Sequence, residues 1–159
     1  VNKSTLAATS LAVAVAGGSG SIASAKAVSS WYARLRKPPY QPPNAAFPVA
    51  WTTLYGDIAV TSAVAIDRFR AAGQHNKARG YAAALGLNLV LNAAWSWLFF
   101  RFHKLGASAV GAAALTASSV DLARRTAQAD PRAGLALSAY PLWCSFATVL
   151  ATHVWRLNR

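Results

Sequence analysis

Five apolar runs, each about long enough to cross a hydrocarbon core, divide this chain, and its charges are bunched between them. About 20 residues of helix span a bilayer. Inside hydrocarbon every backbone polar group must pair within the structure, which leaves helices or closed barrels. The expected fold is therefore all-α and integral to a membrane: a five-transmembrane-helix bundle in one domain, 1–159, its helices covering about 5–27, 48–67, 80–100, 106–125 and 134–155. A long Pro/Trp-rich first loop joins the first two.

Apolar residues make up 55% of the sequence and charged ones 13%. Sixteen Lys and Arg against four Asp and no Glu give a net charge of +12. In a soluble chain that excess suggests nucleic acid. Here the cations flank apolar runs, as they do at membrane–water interfaces, so the partner is the lipid bilayer and not nucleic acid. Orientation is not set by them. Lys3, Arg68, Arg70, Lys77, Arg79, Arg124, Arg125 and Arg132 fall on one side. Lys26, Arg34, Arg36, Lys37, Arg101, Lys104, Arg156 and Arg159 fall on the other. One cysteine, Cys144, allows no intrachain disulfide, and His75, His103 and His153 have no metal-motif spacing.

The first run, residues 5–25, is apolar but built from small residues. Lys3, the core Leu6–Ala16 and Ala23-Ser24-Ala25 imitate a secretory leader with its cleavage site. The competing reading, carried forward here, is a first membrane helix made Gly/Ser-rich by close packing on its neighbours.

Residues 31–55, WYARLRKPPYQPPNAAFPVAWTTLY, are the most informative stretch. Pro38-Pro39 and Pro42-Pro43 lack backbone donors and push their predecessors towards extended backbone, so 37–47 is not expected to be helical. A loop of that length is usually a functional lid or disordered, and its proline density favours order. An interfacial loop with an aromatic belt is the plainer alternative. Further on, Trp51, Tyr55, Ile58 and Ser62 share one helical face, Asn88, Asn92, Trp95 and Phe99 another, and Trp143, Ala147 and Ala151 a third. Asn88 and Asn92 need partners inside hydrocarbon. Ala82 and Gly86 form a small-xxx-small pair on a separate face. Asp57 lies on a polar stripe with Thr53 and Thr61. An intramembrane carboxylate is functional by default: a neutral hydrogen-bond donor, a partner for a loop cation, or a site for a proton or cationic ligand. The alternative is an Asp bonded to Thr53 or Thr61.

These motifs resemble the TspO/MBR family of tryptophan-rich sensory proteins and translocator proteins, formerly the peripheral benzodiazepine receptors. WYARLRKPPYQPP followed by FPVAWTTLY, then LNAAWSWLFF, then YPLWCSFATVL and VWRLN are similar to its loop, third-helix and last-helix motifs, in the same order. The resemblance implies a five-helix bundle, commonly a homodimer, with a ligand cavity closed by the first loop. It implies binding of porphyrins such as protoporphyrin and haem as ligands, of isoquinoline and benzodiazepine-type drugs, and of cholesterol in mitochondrial members, with no obligatory cofactor. By motif position the ligand site takes Tyr32, Pro42, Trp51, Tyr55, Asn88, Asn92, Trp95, Trp143 and Ala147. Departures are Ala151 for the last helix's Asn, Tyr140-Pro141 in inverted order, Asp57, and the lack of a Tyr between Leu150 and Arg156 that the sterol pattern needs.

Aromatic walls with a few polar groups suit a planar tetrapyrrole, and Arg34, Arg36 and Lys37 could pair with its carboxylates at the mouth. No catalytic constellation and no metal site is read from the sequence. The resemblance leaves open light- and oxygen-dependent porphyrin breakdown, with Trp51 and Trp143 as candidates, and transport, for which no inverted repeat speaks. The expected location is a bacterial cell membrane, and the expected role a receptor in tetrapyrrole or oxidative-stress homeostasis.

Overall fold

The computed structural model describes residues 1–25, 27 and 30–159. Seven helices follow in order: α1 (Lys3–Ser24), α2 (Trp31–Arg34), α3 (Ala46–Ala71), α4 (His75–Ser96), α5 (Leu105–Ala129), α6 (Pro131–Leu137) and α7 (Ala139–Leu157). A π-helical turn, Trp97–Arg101, prolongs α4, and no strand occurs among the described residues. Among the described residues five segments are long and apolar enough to cross a membrane: α1, α3, α4 with its π turn, α5, and α6 with α7. The expected length of the first span to residue 27, and the interfacial place of Lys26, reach outside the described residues.

Helix ends differ from the sequence reading in ways that local chemistry explains. The interval left between the expected second and third helices, 48–67 and 80–100, is only a three-residue turn, because α3 continues to Ala71 and α4 begins at His75. Arg68 and Arg70 lie in the last turn of α3, where cations meet the negative end of the helix dipole. Gly73, at φ +73°, makes the reversal that a side chain would resist. At the other end of α3, Ala46 and Phe47 are already helical, and Pro48 fits the first turn, whose amides need no helical acceptor. Asp130 both stops α5 and starts α6, its carboxylate accepting from the Arg132 and Ala133 amides at 2.9 and 3.3 Å. The fifth span breaks at Ser138. Pro141 cannot donate to the Leu137 carbonyl four residues back, which frees the chain to bend there.

The five membrane-length segments run alternately up and down. α1 packs on α3 and α4, α5 lies along α7 and beside α4, and α3 reaches α4, α5 and α6. Close approach depends on small residues. A Cβ on Gly134 would fall 2.5 Å from the Ala127 Cα. Polar cross-links fix the core where hydrocarbon offers no water. Tyr81 Oη is 3.1 Å from Ser62 Oγ and 2.8 Å from Thr126 Oγ1, joining α3, α4 and α5. Asn88 and Asn92 find their partners in Tyr140: its hydroxyl donates to Asn88 Oδ1 at 2.8 Å and accepts from Asn92 Nδ2 at 3.0 Å. Asn88 Nδ2 continues to Ser118 and Ser119 on α5.

Candidate functional site

The lid end of the bundle holds a cavity of about 280 Å³ bounded by α1, α3, α4, α7 and the first loop. Its walls follow from the helical faces. α3 contributes Trp51 and Tyr55, one turn apart, with ring centroids 5.7 Å apart. From α7, Trp143 stands edge-on to Trp51 at 6.4 Å and 88°, with Ala147 one turn below it. α4 adds Asn92, Trp95 and, through the π turn, Phe99 and Phe100. Trp95 and Phe99 stack at 5.3 Å and 13°. A π turn commonly marks a functional position in a helix, and here it carries two adjacent Phe into the wall.

Asn92 ties this wall to the core. Its Oδ1 accepts from Tyr55 Oη at 3.0 Å while its amide donates to Tyr140, so the floor is polar but satisfied. Three lining atoms are buried without a hydrogen-bond partner among the described residues: Gln41 Oε1, Trp95 Nε1 and Trp143 Nε1. Each such group costs about 1–3 kcal/mol of desolvation that a ligand's polar edge can recover.

The loop forms a built cover. Tyr32, in α2, is buried beneath it and hydrogen-bonds the Gln41 side chain. Burial pushes the Tyr32 phenol above its ordinary pKa, with the Gln41 bond opposing, so it stays neutral at physiological pH. Lys37 Nζ lies 4.7 Å from the Tyr32 ring centroid. Two clasps join the cover to the end of α7. Arg36 N–H donates to Asn158 Oδ1 at 2.9 Å and Asn158 Nδ2 donates to the Arg36 carbonyl at 2.8 Å. Tyr40 Oη pairs with His153 Nδ1 at 2.9 Å. Phe47, in the first turn of α3, closes edge-on against Trp143 at 5.9 Å.

Of the residues named from the sequence, Tyr32, Trp51, Tyr55, Asn92, Trp95, Trp143 and Ala147 line the cavity. Pro42 and Asn88 are not among the lining residues. Asn88 sits deeper, fully buried, with both ends of its amide engaged by Tyr140, Ser118 and Ser119. Arg34, Arg36 and Lys37 belong to the cover and not to the wall. Asp57 is half-buried and absent from the cavity lining, since two positions beyond Tyr55 it falls on the far side of α3. Neither threonine bonds its carboxylate, since Thr61 donates to the Asp57 backbone carbonyl and Thr53 to that of Val49. His153 serves the cover, and His103 stacks on Trp31 at 4.0 Å. Among the described residues no His, Cys, Asp or Glu group is arranged to hold a metal ion.

The sequence reading missed the α1 wall. Gly17, Gly20, Ser21 and Ser24 line the cavity. A Cβ on Gly17 would stand 2.9 Å from the Tyr55 ring, and one on Gly20 would stand 2.9 Å from Ser96 Oγ. The signal was the Gly/Ser content of the first run. It told of close packing, but not of what lay opposite. Gln41 and Asn44 of the loop, and Phe47 at the start of α3, were also unmarked.

The TspO/MBR family model matches residues 8–156. The chain is 33% identical over 153 residues to Protein CrtK of Rhodobacter capsulatus, covering 93% of this chain and 89% of that protein. It is 35% identical to the tryptophan-rich protein TspO of Archaeoglobus fulgidus, covering 96% of each. The human translocator protein is 31% identical over 131 residues, 80% of this chain and 75% of that one. With five membrane-length helices and a family match over nearly its whole length, this chain belongs to the TspO/MBR family of membrane proteins.

Proposed function

We propose that this protein is a membrane receptor for porphyrins, protoporphyrin and haem among them, and for related flat hydrophobic ligands, acting in tetrapyrrole or oxidative-stress homeostasis in a bacterial cell membrane. The observation that carries the reading is the convergence of Trp51, Tyr55, Trp95, Phe99 and Trp143 on one covered cavity. Flat aromatic ligands gain most from such walls, by stacked and edge-on contact. Unpartnered Gln41 Oε1 and Trp143 Nε1 offer an acceptor and a donor for a ligand's polar edge. The cavity's volume is just below the usual range for ligand pockets, about 300–1,000 Å³. A tetrapyrrole therefore enters only if the clasped loop gives way.

The test is a titration of the detergent-purified protein with protoporphyrin and with haem in the dark, following the porphyrin absorption band. A saturable spectral shift at one ligand per chain supports the reading. Unsaturable partitioning, matched by empty micelles, contradicts it.

A second reading has its own observation. Trp51 and Trp143 form an edge-on indole pair in the wall, favourable for light- and oxygen-dependent breakdown of a bound porphyrin. The porphyrin would supply the photochemistry and oxygen the oxidant. Product formation under light that is lost in Trp51→Phe with Trp143→Phe, while binding persists, separates turnover from simple binding.

A further inference from the structure

A second hollow, of about 460 Å³, lies on the outer face of the bundle between α1 and α4, at the end away from the loop. Its floor is Thr9, Ile66, Leu85 and Leu89, all buried. Its rims are Ala8 and Ala12 on α1 and Ala82 and Gly86 on α4. These rims are low because they carry one side-chain carbon or none, and a Cβ on Gly86 would meet nothing within 4 Å. From Thr5 to Ala12 the trough follows about 10 Å of helix.

One end of the trough differs from the rest. Ser4, Thr5 and Arg70 line it there. Among the described residues the Arg70 guanidinium makes one hydrogen bond, a long one of 3.4 Å to Thr5 Oγ1, and no carboxylate pairs with it. Arg79 is exposed on the same face of α4 as Ala82, one turn nearer the water, and among the described residues it also has no ion pair. Lys3 precedes Ser4 on α1. The one acid nearby, Asp67, has both oxygens occupied by the Asn2 amide and the Thr5 hydroxyl. Arg70 thus lines the trough's end, exposed Arg79 and Lys3 stand on the flanking helices at that same end, one engaged carboxylate lies among them, and an apolar channel runs below.

We propose that this trough holds one acyl chain of an anionic phospholipid, whose phosphate is received by Arg70 and Arg79. The polarity order fits an amphiphile: charge at the membrane–water interface, then hydrocarbon depth. Basic pockets between membrane helices bind anionic head groups on these grounds. A second copy of the chain fits less well. Two copies sharing one membrane orientation and an isologous contact would bring the same cationic ends together, a like-charge arrangement that disfavours pairing. The trough shares no lining residue with the cavity at the other end, so the two sites stand or fall separately.

The experiment uses the full chain in nanodiscs of phosphatidylcholine containing a minor fraction of phosphatidylglycerol. Lipid retained after transfer to detergent is counted by native mass spectrometry. Wild type is expected to keep one phosphatidylglycerol and no phosphatidylcholine, and inorganic phosphate at millimolar concentration is expected not to displace it. Gly86→Leu and, separately, Ala82→Leu fill the trough from exposed positions and abolish retention. Arg70→Gln and Arg79→Gln each weaken it about five-fold. Retention that survives both leucine variants overturns the proposal, as does equal retention of phosphatidylcholine. Displacement by phosphate alone overturns it too, since the site would then read the anion without the chain. A leucine variant that dissociates a wild-type dimer and leaves lipid retention unchanged also overturns it, by assigning the trough to a second copy.

Discussion

Asn158 grips the backbone of Arg36 from both sides, accepting from its N–H at 2.9 Å and donating to its carbonyl at 2.8 Å, much as a neighbouring strand would. Residues separated by 122 positions are thereby joined, and the third bond of the same amide, from Nδ2 to the Val154 carbonyl at 2.8 Å, fixes the grip to α7. With Tyr40 and His153 it makes two fastenings for one loop. Asn158→Ala removes the first and His153→Phe the second. Both are expected to raise the association and dissociation rates for protoporphyrin in stopped-flow quenching, the double variant most. Affinity should change less than the rates, because neither residue lines the cavity. Unchanged rates in the double variant would mean that the loop is not the route of entry.

Tyr140 is the centre of the polar core, and its hydroxyl serves both Asn88 and Asn92. Tyr140→Phe keeps the ring and strands an acceptor on Asn88 and a donor on Asn92. A destabilisation of about 1–3 kcal/mol is expected, read as an earlier thermal unfolding transition in detergent. The same substitution at exposed Tyr40 should leave that transition nearly unmoved.

Two glycines make a contrasting pair. Gly17 faces the flexible end of Tyr55, whereas Gly134 faces the backbone of Ala127 at 2.5 Å. Gly134→Ala should lower thermal stability, since backbone cannot step aside. Gly17→Val should instead push the Tyr55 ring into the cavity and weaken ligand binding at nearly unchanged stability. Each variant is checked by both a melting curve and a porphyrin titration.

Asp130 makes stability pH-dependent at the α5–α6 corner. Its carboxyl is held below the ordinary range, first by the Ala133 amide and then by the Arg132 amide and the nearby Arg68 and Arg132 charges. A depressed folded pKa means that the contribution is complete above the ordinary unfolded value of about 3.9 and is lost as pH falls through the folded one. Wild type should therefore melt higher than Asp130→Ala at neutral pH, and the difference should shrink below about pH 4. A difference that stays constant into acid would show that the carboxylate's charge contributes nothing at this cap.

The five-helix fold was legible because membrane helices announce themselves by length and polarity, and the wall residues because aromatic and Asn side chains recur at helical spacing. Trp51 with Tyr55, and Asn92 with Trp95, needed only that periodicity. What could not be read was anything set by the approach of one helix to another. Asn88 and Asn92 share a face, yet Asn92 borders the cavity while Asn88 is buried against α5, a difference of depth that spacing does not encode. Gly17 and Gly20 became part of the site only because α1 lies across α3 and α4. Asp57 drew attention by its type, but its rotation on α3 turns it away from the cavity. The charged segment after α3 looked like a loop because its composition is polar, although those same cations suit a helix end.

The most direct test of the central claim is tryptophan fluorescence quenching of the purified protein by protoporphyrin in the dark, with Ala147→Phe alongside. Ala147 lines the cavity one turn from Trp143, and a phenyl ring there occupies the space a ligand would take without removing any aromatic wall. Saturable quenching in wild type, weakened at least ten-fold in Ala147→Phe at equal thermal stability, is the predicted result. Identical quenching curves for the two proteins would contradict it, because the porphyrin would then be reporting its solubility in the micelle and not the covered cavity.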